Sequence, residues 1–338
     1  MAIYDVNGVI QYAQDAITPE KYGAVGNGTK DDTVALQSAF AESANQNKPV
    51  VFGYGKTYAV SSTLNITKRQ DFYGNGSVIK AISSISDVIR INTESSHFPI
   101  SIGKGLINNL TIDGNGLADN GIYIEYSAGF NLQNIDIGKV LQNGIYIEKG
   151  FEIFCDNIRV SSGVLDLESP IYANVVGLNI NTSDSHFSNI VTVNVKTGIV
   201  VKKGMNFFDF IHCWNTWASI MPTTVMFDIY ANTIGSNCYS DCCATAVKIN
   251  GNVSATFYGF THLNATRFMP ASAMGDVTPT FFDLGTGANT SRIKVYGMYV
   301  QSGVTTNFSN KAASAWTGFD WTKNNDSSMN NLTNHPTI

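Results

Sequence analysis

Charge is scarce in this chain: Asp, Glu, Lys and Arg make up 14% of its 338 residues, against roughly a quarter in ordinary soluble domains. What charge there is balances to −5, so the basic stripe that nucleic acid requires is missing. Long apolar runs are missing as well. No stretch reaches membrane-spanning length, and Met1-Ala-Ile-Tyr-Asp5 lacks the charged n-region and apolar h-region of a signal peptide. These absences predict a soluble protein with no nucleic-acid or membrane partner, not exported by an ordinary signal. The Asn-x-Ser/Thr triplets at Asn27, Asn65, Asn109 and Asn331 then read as compositional rather than as glycan sites. Paired metal-ligand cysteines are also absent. Cys155, Cys213, Cys238, Cys242 and Cys243 are an odd set without a CxxC pair, which predicts buried free thiols and no metal or other cofactor.

Asn, Ser, Thr and Gly fill the space that charge leaves, as tight turns and stacked strands require. The chain also repeats itself. Asn109-Leu-Thr-Ile, Asn134-Ile-Asp-Ile, Asn157-Ile-Arg-Val and Asn189-Ile-Val-Thr recur at steps of 25, 23 and 32. Between them run Gly121-Ile-Tyr-Ile-Glu, Gly144-Ile-Tyr-Ile-Glu, Gly177-Leu-Asn-Ile-Asn and Gly198-Ile-Val-Val-Lys, at steps of 23, 33 and 21. Short strands returning about every two dozen residues predict a solenoid, each turn stacked on the last. Side chains alternate along a strand, which turns Ile122 and Ile124 inward and Tyr123 and Glu125 outward. The first-row Asn is expected to open its strand and to stack on its neighbours as a hydrogen-bonded ladder. The long steps place about ten extra residues around Val164–Tyr172, and insertions in repeat proteins gather on one face.

Three segments follow from this pattern. Residues 1–48 hold an irregular lead-in and a helix from Thr33 to about Asn45, N-capped by Asp31 or Asp32, with Leu36, Ala39, Phe40 and Ser43 on one face. Its expected role is to cover the open edge of the first coil. Residues 49–305 hold the strands, about eleven coils and a rod roughly 50 Å long. Residues 306–338 form a C-terminal cap or an oligomer contact.

The segment Tyr22-Gly-Ala-Val-Gly-Asn-Gly-Thr-Lys-Asp-Asp-Thr-Val-Ala-Leu-Gln-Ser-Ala-Phe40 closely resembles the N-terminal signature of the pectate-lyase-like superfamily, which includes bacteriophage tailspikes and polysaccharide depolymerases. The resemblance implies an all-β right-handed parallel β-helix with an N-terminal capping helix. It also implies a homotrimer on a virion tail, extracellular in use, that meets a bacterial surface polysaccharide. Chemistry is implied only broadly, because the superfamily holds lyases, hydrolases and binders. The acidic cluster of calcium-dependent pectate lyases is absent, and of the polygalacturonase motifs only Arg292-Ile-Lys294 and a partial Asn181-Thr-Ser-Asp184 occur. The short lead-in predicts a chain without a long virion-attachment domain, a short tail fibre subunit or the body of one.

Glycosidic hydrolysis needs two carboxyl groups, one as acid and one as base or nucleophile. The repeats offer Glu125 and Glu148, one rung apart in one outward column beside Tyr123 and Tyr146, where proximity is expected to raise the pKa of one carboxyl. Asp166 and Glu168 in the insertion add acidic groups. On a different sheet, Asp136 and Arg159 read as a stacked salt bridge, or Arg159 as a clamp for an acidic sugar. His212 near Asp209, followed by Trp214 and Trp217, reads either as packing or as a general base with sugar platforms. The expected activity is a tailspike-type depolymerase acting by carboxylate hydrolysis. The alternatives are a lyase working by β-elimination on a uronic acid polymer, and a receptor-binding fibre that cuts nothing.

Overall fold

The computed structural model describes residues 3–4, 10–11, 16–93, 105–162, 174–215, 223–263, 280–284, 292–300, 308–309 and 320–321. Most of the strands stack in parallel into an 11-stranded and a 13-stranded sheet. One coil illustrates the rest. Phe130–Gly138 lies between Gly105–Asp113 and Phe154–Ser161. Asn143–Ile147, the strand that follows it, lies between Ala118–Ala128 and Val176–Ile180. Successive strands thus alternate between the two sheets, and right-handed crossovers close them into a parallel β-helix. The core is one continuous column of buried Ile, Val, Leu and Phe, in which Ile122, Ile145, Leu178, Ile199 and Phe227 stack rung on rung.

The first-row Asn does not open a strand. It sits in the middle of one, at a bend, because its backbone is left-handed: φ is 57° at Asn109, 54° at Asn134, 53° at Asn157 and 52° at Asn189. The bend divides each long strand into two legs, and the strand of the other sheet supplies a third. Asn and Gly are the residues that adopt this conformation at low cost, and Asn adds a ladder. Its amide donates to the coil beneath, from Asn134 to Asn108 at 2.8 Å and from Asn157 to Asn134 at 2.7 Å. In the coil after Asn157, Asn189 donates to Asp156 at 2.8 Å. The second-row Gly answers a different need. A Cβ on Gly144 would lie 2.5 Å from Val160 Cγ1, and one on Gly198 would lie 2.2 Å from Cys213 Sγ. The two repeats therefore interlock, since the leg after the bend fills the space that the Gly leaves open.

The helix Thr33–Gln46 caps the stack. Leu36, Ala39, Phe40 and Ser43 are buried, and Phe40 packs edge-on against Phe72 with ring centroids 4.7 Å apart. Gln37 bonds both backbone groups of Asn65, at 2.9 and 2.8 Å, on the strand Leu64–Ile66 that ends the 11-stranded sheet. The exposed edge is thereby occupied by a side-chain amide. Asp32 stands at the N-cap, but its carboxylate turns away and accepts the backbone N–H groups of Val25 and Gly26 at 2.7 and 2.9 Å. Asp31 accepts the Thr33 N–H at 3.0 Å instead. The two carboxylates therefore act at different places, Asp32 closing the glycine loop and Asp31 starting the helix.

All five cysteines are buried free thiols. The 32-residue step leaves the register intact, since Ile158 pairs directly with Ile190. The extra residues expected around Val164–Tyr172 lie outside the described residues. The terminal segment 306–338 also lies outside them, apart from the short strands Phe308–Ser309 and Asp320–Trp321.

If the corner conformation is the constraint, Asn157→Gly should change stability by less than about 1 kcal/mol, because Gly keeps the positive φ. Asn157→Ala should cost about 1–3 kcal/mol through backbone strain and a lost bond. Chemical denaturation of the two variants side by side checks this; equal costs would mean that the ladder, not the backbone, dominates.

Candidate functional site

Two outward surfaces bring together the candidate residues. The first lies on the third leg. Tyr123 is in register with Tyr146 and, one coil earlier, with Arg90. The two Tyr ring centroids are 5.2 Å apart, and the Arg90 guanidinium lies over the Tyr123 ring at 4.8 Å. Lys202 approaches the Tyr146 ring at 5.8 Å. Glu125 and Glu148 follow on adjacent rungs, linked by the Glu148 N–H donating to Ile124 O at 2.8 Å. Each carboxylate has its own partner: Tyr146 Oη donates to Glu148, and Arg90 Nη1 lies 3.7 Å from Glu125. Burial first, and the Glu148 carboxylate second, push the Tyr146 phenol up to about 12. Tyr146 therefore stays protonated and remains a donor across the neutral range.

This surface is anchored from within. Asp87 is 1% exposed and accepts Nε and Nη2 of Arg90 at 2.9 and 2.7 Å. Its other oxygen accepts Asn120 Nδ2 at 2.8 Å, and the chain of amides continues from Asn143 to Asn120 at 2.7 Å and from Asn179 to Asn143 at 3.2 Å. Arg90 and Asp87 were not among the residues expected from the repeats. Yet Ile89-Arg-Ile has the apolar–outward–apolar pattern of Ile122-Tyr-Ile and Ile145-Tyr-Ile, and aligning that triplet places Arg90 in the Tyr column.

The second surface runs along the bend and the second leg. Asp136, Arg159, Val191 and His212 occupy one column on successive coils. Asn109, Asn134, Asn157, Asp136, Arg159 and Val191 line a groove of about 640 Å³. Asp136 and Arg159 are register partners, but no ion pair within 4 Å forms between them among the described residues. The stacked salt bridge expected from their spacing is absent: both side chains are exposed on the groove, where solvent offers each an alternative.

His212 stacks on Tyr239 with centroids 4.5 Å apart, and its Nε2 lies 4.0 Å from Asp241 Oδ2. Burial pushes the His212 pKa down, and Asp241 partly opposes that. Asp209 is engaged elsewhere. It accepts Ser236 Oγ and the Asn237 amide, the latter at 3.0 Å, as part of the corner ladder. The carboxylate beside His212 is thus Asp241, one coil later. Trp214 ends the same strand, in register with Asp241. Asp166, Glu168 and Trp217 lie outside the described residues.

The comparisons with known proteins agree with this architecture. A family model described as rhamnogalacturonase A/epimerase, pectate lyase-like, matches residues 20–215. A Klebsiella phage K64-1 protein named "Depolymerase, capsule K30/K69-specific" is 30% identical over 177 residues, covering 46% of this chain and 23% of that protein. A double mutant of the tailspike protein of E. coli bacteriophage HK620 superposes with TM-score 0.61 at 13% identity, covering 89% of this chain and 61% of that one. The enzymatically active domain of bacteriophage CBA120 tailspike protein 2 superposes with TM-score 0.60 at 15% identity, covering 88% and 45%. The match thus spans under a quarter of the curated relative.

Arg90 is expected to hold the first surface together. Arg90→Gln leaves the buried Asp87 carboxylate without its cation and should destabilise the protein by roughly 2–4 kcal/mol. The double variant Asp87→Asn, Arg90→Gln should recover most of that loss in thermal unfolding. Additive losses would show that the two residues act independently.

Proposed function

The chain belongs to the rhamnogalacturonase A/epimerase, pectate-lyase-like family, and from that premise we propose that it is the body of a phage tailspike that binds and cleaves a bacterial surface polysaccharide. The named relative is a capsule depolymerase, and the reading extends that activity class to this chain. A polymer substrate suits a rod whose outward columns repeat one side-chain position per rung. On this reading the protein works as a homotrimer on the virion tail.

The observation that carries the chemistry is the adjacent-rung pair Glu125 and Glu148, with Tyr123, Tyr146 and Arg90 around it. Rungs about 4.8 Å apart place two carboxyl groups close to the separation of about 5–5.5 Å at which one acts as acid and the other as nucleophile. Hydrolysis with retention of anomeric configuration follows. The outward edges of the Tyr rings border the carboxylates, where a sugar can pack beside the scissile bond, and Arg90 positions Glu125.

A second reading is favoured by the groove column. Arg159 is exposed in the groove, and His212 lies two rungs further along the same column. A guanidinium that binds a uronate carboxylate and a neutral imidazole that removes the C5 proton together perform β-elimination. The C4–C5 double bond forms as the C4–O bond breaks, and the departing oxygen takes up a proton from water. With Nε2 turned to Asp241, Nδ1 is the nitrogen left to accept that proton. Because burial lowers the His212 pKa, the neutral base persists below the ordinary histidine range. An elimination rate would rise with pH and pass its midpoint below about pH 6.5.

Incubating the protein with a panel of capsular and O-antigen polysaccharides and weighing the products separates the chemistries. Fragments with one added water, retained anomeric configuration and a loss of about 10²–10⁴ in kcat on Glu148→Gln are expected. Fragments lacking that water, with full activity in Glu148→Gln and loss in His212→Ala, would transfer the chemistry to the groove. Intact polymer across the panel would overturn the enzymatic reading.

A further inference from the structure

One corner departs from all its described neighbours. The stacked position at the bend is Asn109, Asn134, Asn157, Asn189, Asn237, Gly259 or Gly297 in its successive coils, and Phe210 between the fourth and fifth of these. Phe210 has φ 52° and is 57% exposed. A bulky side chain in this conformation is strained. It also interrupts the ladder, since Asn189 and Asn237 each donate an amide to the coil beneath and Phe has none to offer. A ring more than half exposed recovers little burial to compensate. Strain without a structural return points to use.

The surroundings of Phe210 are aromatic in both directions. On its own strand, Phe207 and His212 are the nearest outward rings to either side. Below Phe207, His186 stacks at 4.8 Å and 13°, and Phe154 stacks on His186 at 5.2 Å and 4°. Above His212 lies the ring of Tyr239. Polar groups separate these rings: Asp209 precedes Phe210, and Asp156 and Ser188 lie in the same column. The groove lined by Asn157, Arg159 and Val191 leads directly here, because His212 is the next rung after Val191.

We propose that Phe210 and its flanking rings form a holding site for the ring faces of a glycan chain, separate from the Glu125/Glu148 column on the other sheet. The inference rests on the polysaccharide reading above and adds a second contact to it. The exposed Phe210 ring, bordered by the outward edges of the stacked rings and by hydrogen-bonding groups, matches a sugar, which offers a C–H face and a rim of hydroxyls. A second copy of the chain fits less well. Interface cores are depleted of charge, whereas here Asp209, Asp156 and Arg159 stand among the rings. A chain laid along the groove would pass Arg159 before reaching Phe210, so the two positions would act on the same bound polymer.

The test compares full-length wild type, Phe210→Asn and Phe210→Ala on immobilised capsular and O-antigen polysaccharides, kept on ice so that turnover is slow. Phe210→Asn installs the residue that most of the other corners use. It should raise Tm by on the order of 2 °C while weakening binding about tenfold; Phe210→Ala should weaken binding similarly without the gain in Tm. Cleavage of short soluble fragments at the Glu column should be unchanged. Binding within about twofold of wild type in both variants would overturn the holding site and leave the polysaccharide reading intact. A lower Tm or a smaller assembly by light scattering with Phe210→Asn would identify the ring as a packing or subunit contact and also overturn it. Wild type that binds no glycan would remove both readings.

Discussion

Coil after coil of this protein turns its bend through one residue at positive φ, and the rest of the architecture depends on that repeated conformation. It changes the direction of a strand without breaking the sheet, so one continuous ladder can wrap around a corner. It must recur at the same height in each coil, because a shift of one residue would exchange inward and outward side chains along the whole strand. Asn meets the requirement twice over, through its tolerance of the left-handed region and through an amide that reaches the coil beneath. The interlocking Gly row is the consequence on the opposite side, where the leg following the bend approaches the next strand too closely for a Cβ.

A fixed register turns sequence spacing into chemistry. Residues 23 apart become neighbours at about 4.8 Å, so Tyr123 meets Tyr146 and Glu125 meets Glu148 without any loop to position them. Such columns are stiff, and a rigid array of side chains suits an extended ligand that presents similar units at regular intervals. The two surfaces differ in character. On the third leg, ionic and hydrogen-bond partners are already paired, anchored on buried Asp87. Along the groove, Arg159 is exposed without an ion pair among the described residues, and Phe210 stands exposed beyond it.

That contrast gives the two surfaces complementary parts in the proposed function. A catalytic pair benefits from side chains locked by their neighbours, as Glu148 is by Tyr146 and Arg90 is by Asp87. A holding surface benefits from exposed ring faces that a moving polymer can occupy and leave. Phe210 fits the second part, because its strained backbone and missing amide lower the stability of the coil it belongs to. Stability given up at one rung is tolerable in a solenoid, where each coil is supported by the coils on either side.

Much of this was legible in the chain itself. The two interleaved rows determined the parallel coil architecture, the inward Ile columns, the Tyr and Glu columns and the placement of Asp136 and Arg159 together on another sheet. Leu36, Ala39 and Phe40 marked the buried face of the capping helix. These features depend on period and alternation, which are properties of the sequence. Other features depended on which side chain reaches which atom in three dimensions. Asp209 looked like the partner of His212, but the bend between them turns it into the corner ladder and leaves Asp241, from the next coil, beside the ring. Asp136 and Arg159 share a rung, yet exposure leaves them unpaired. Asp32 stands at the helix N-cap as expected, but its carboxylate closes the glycine loop instead of capping. Arg90 escaped notice because its role comes from Asp87 below it and Tyr123 above. Spacing determines who is adjacent; only the packed structure decides which neighbours bond, because the choice among them is set by burial and by the direction in which each backbone corner points.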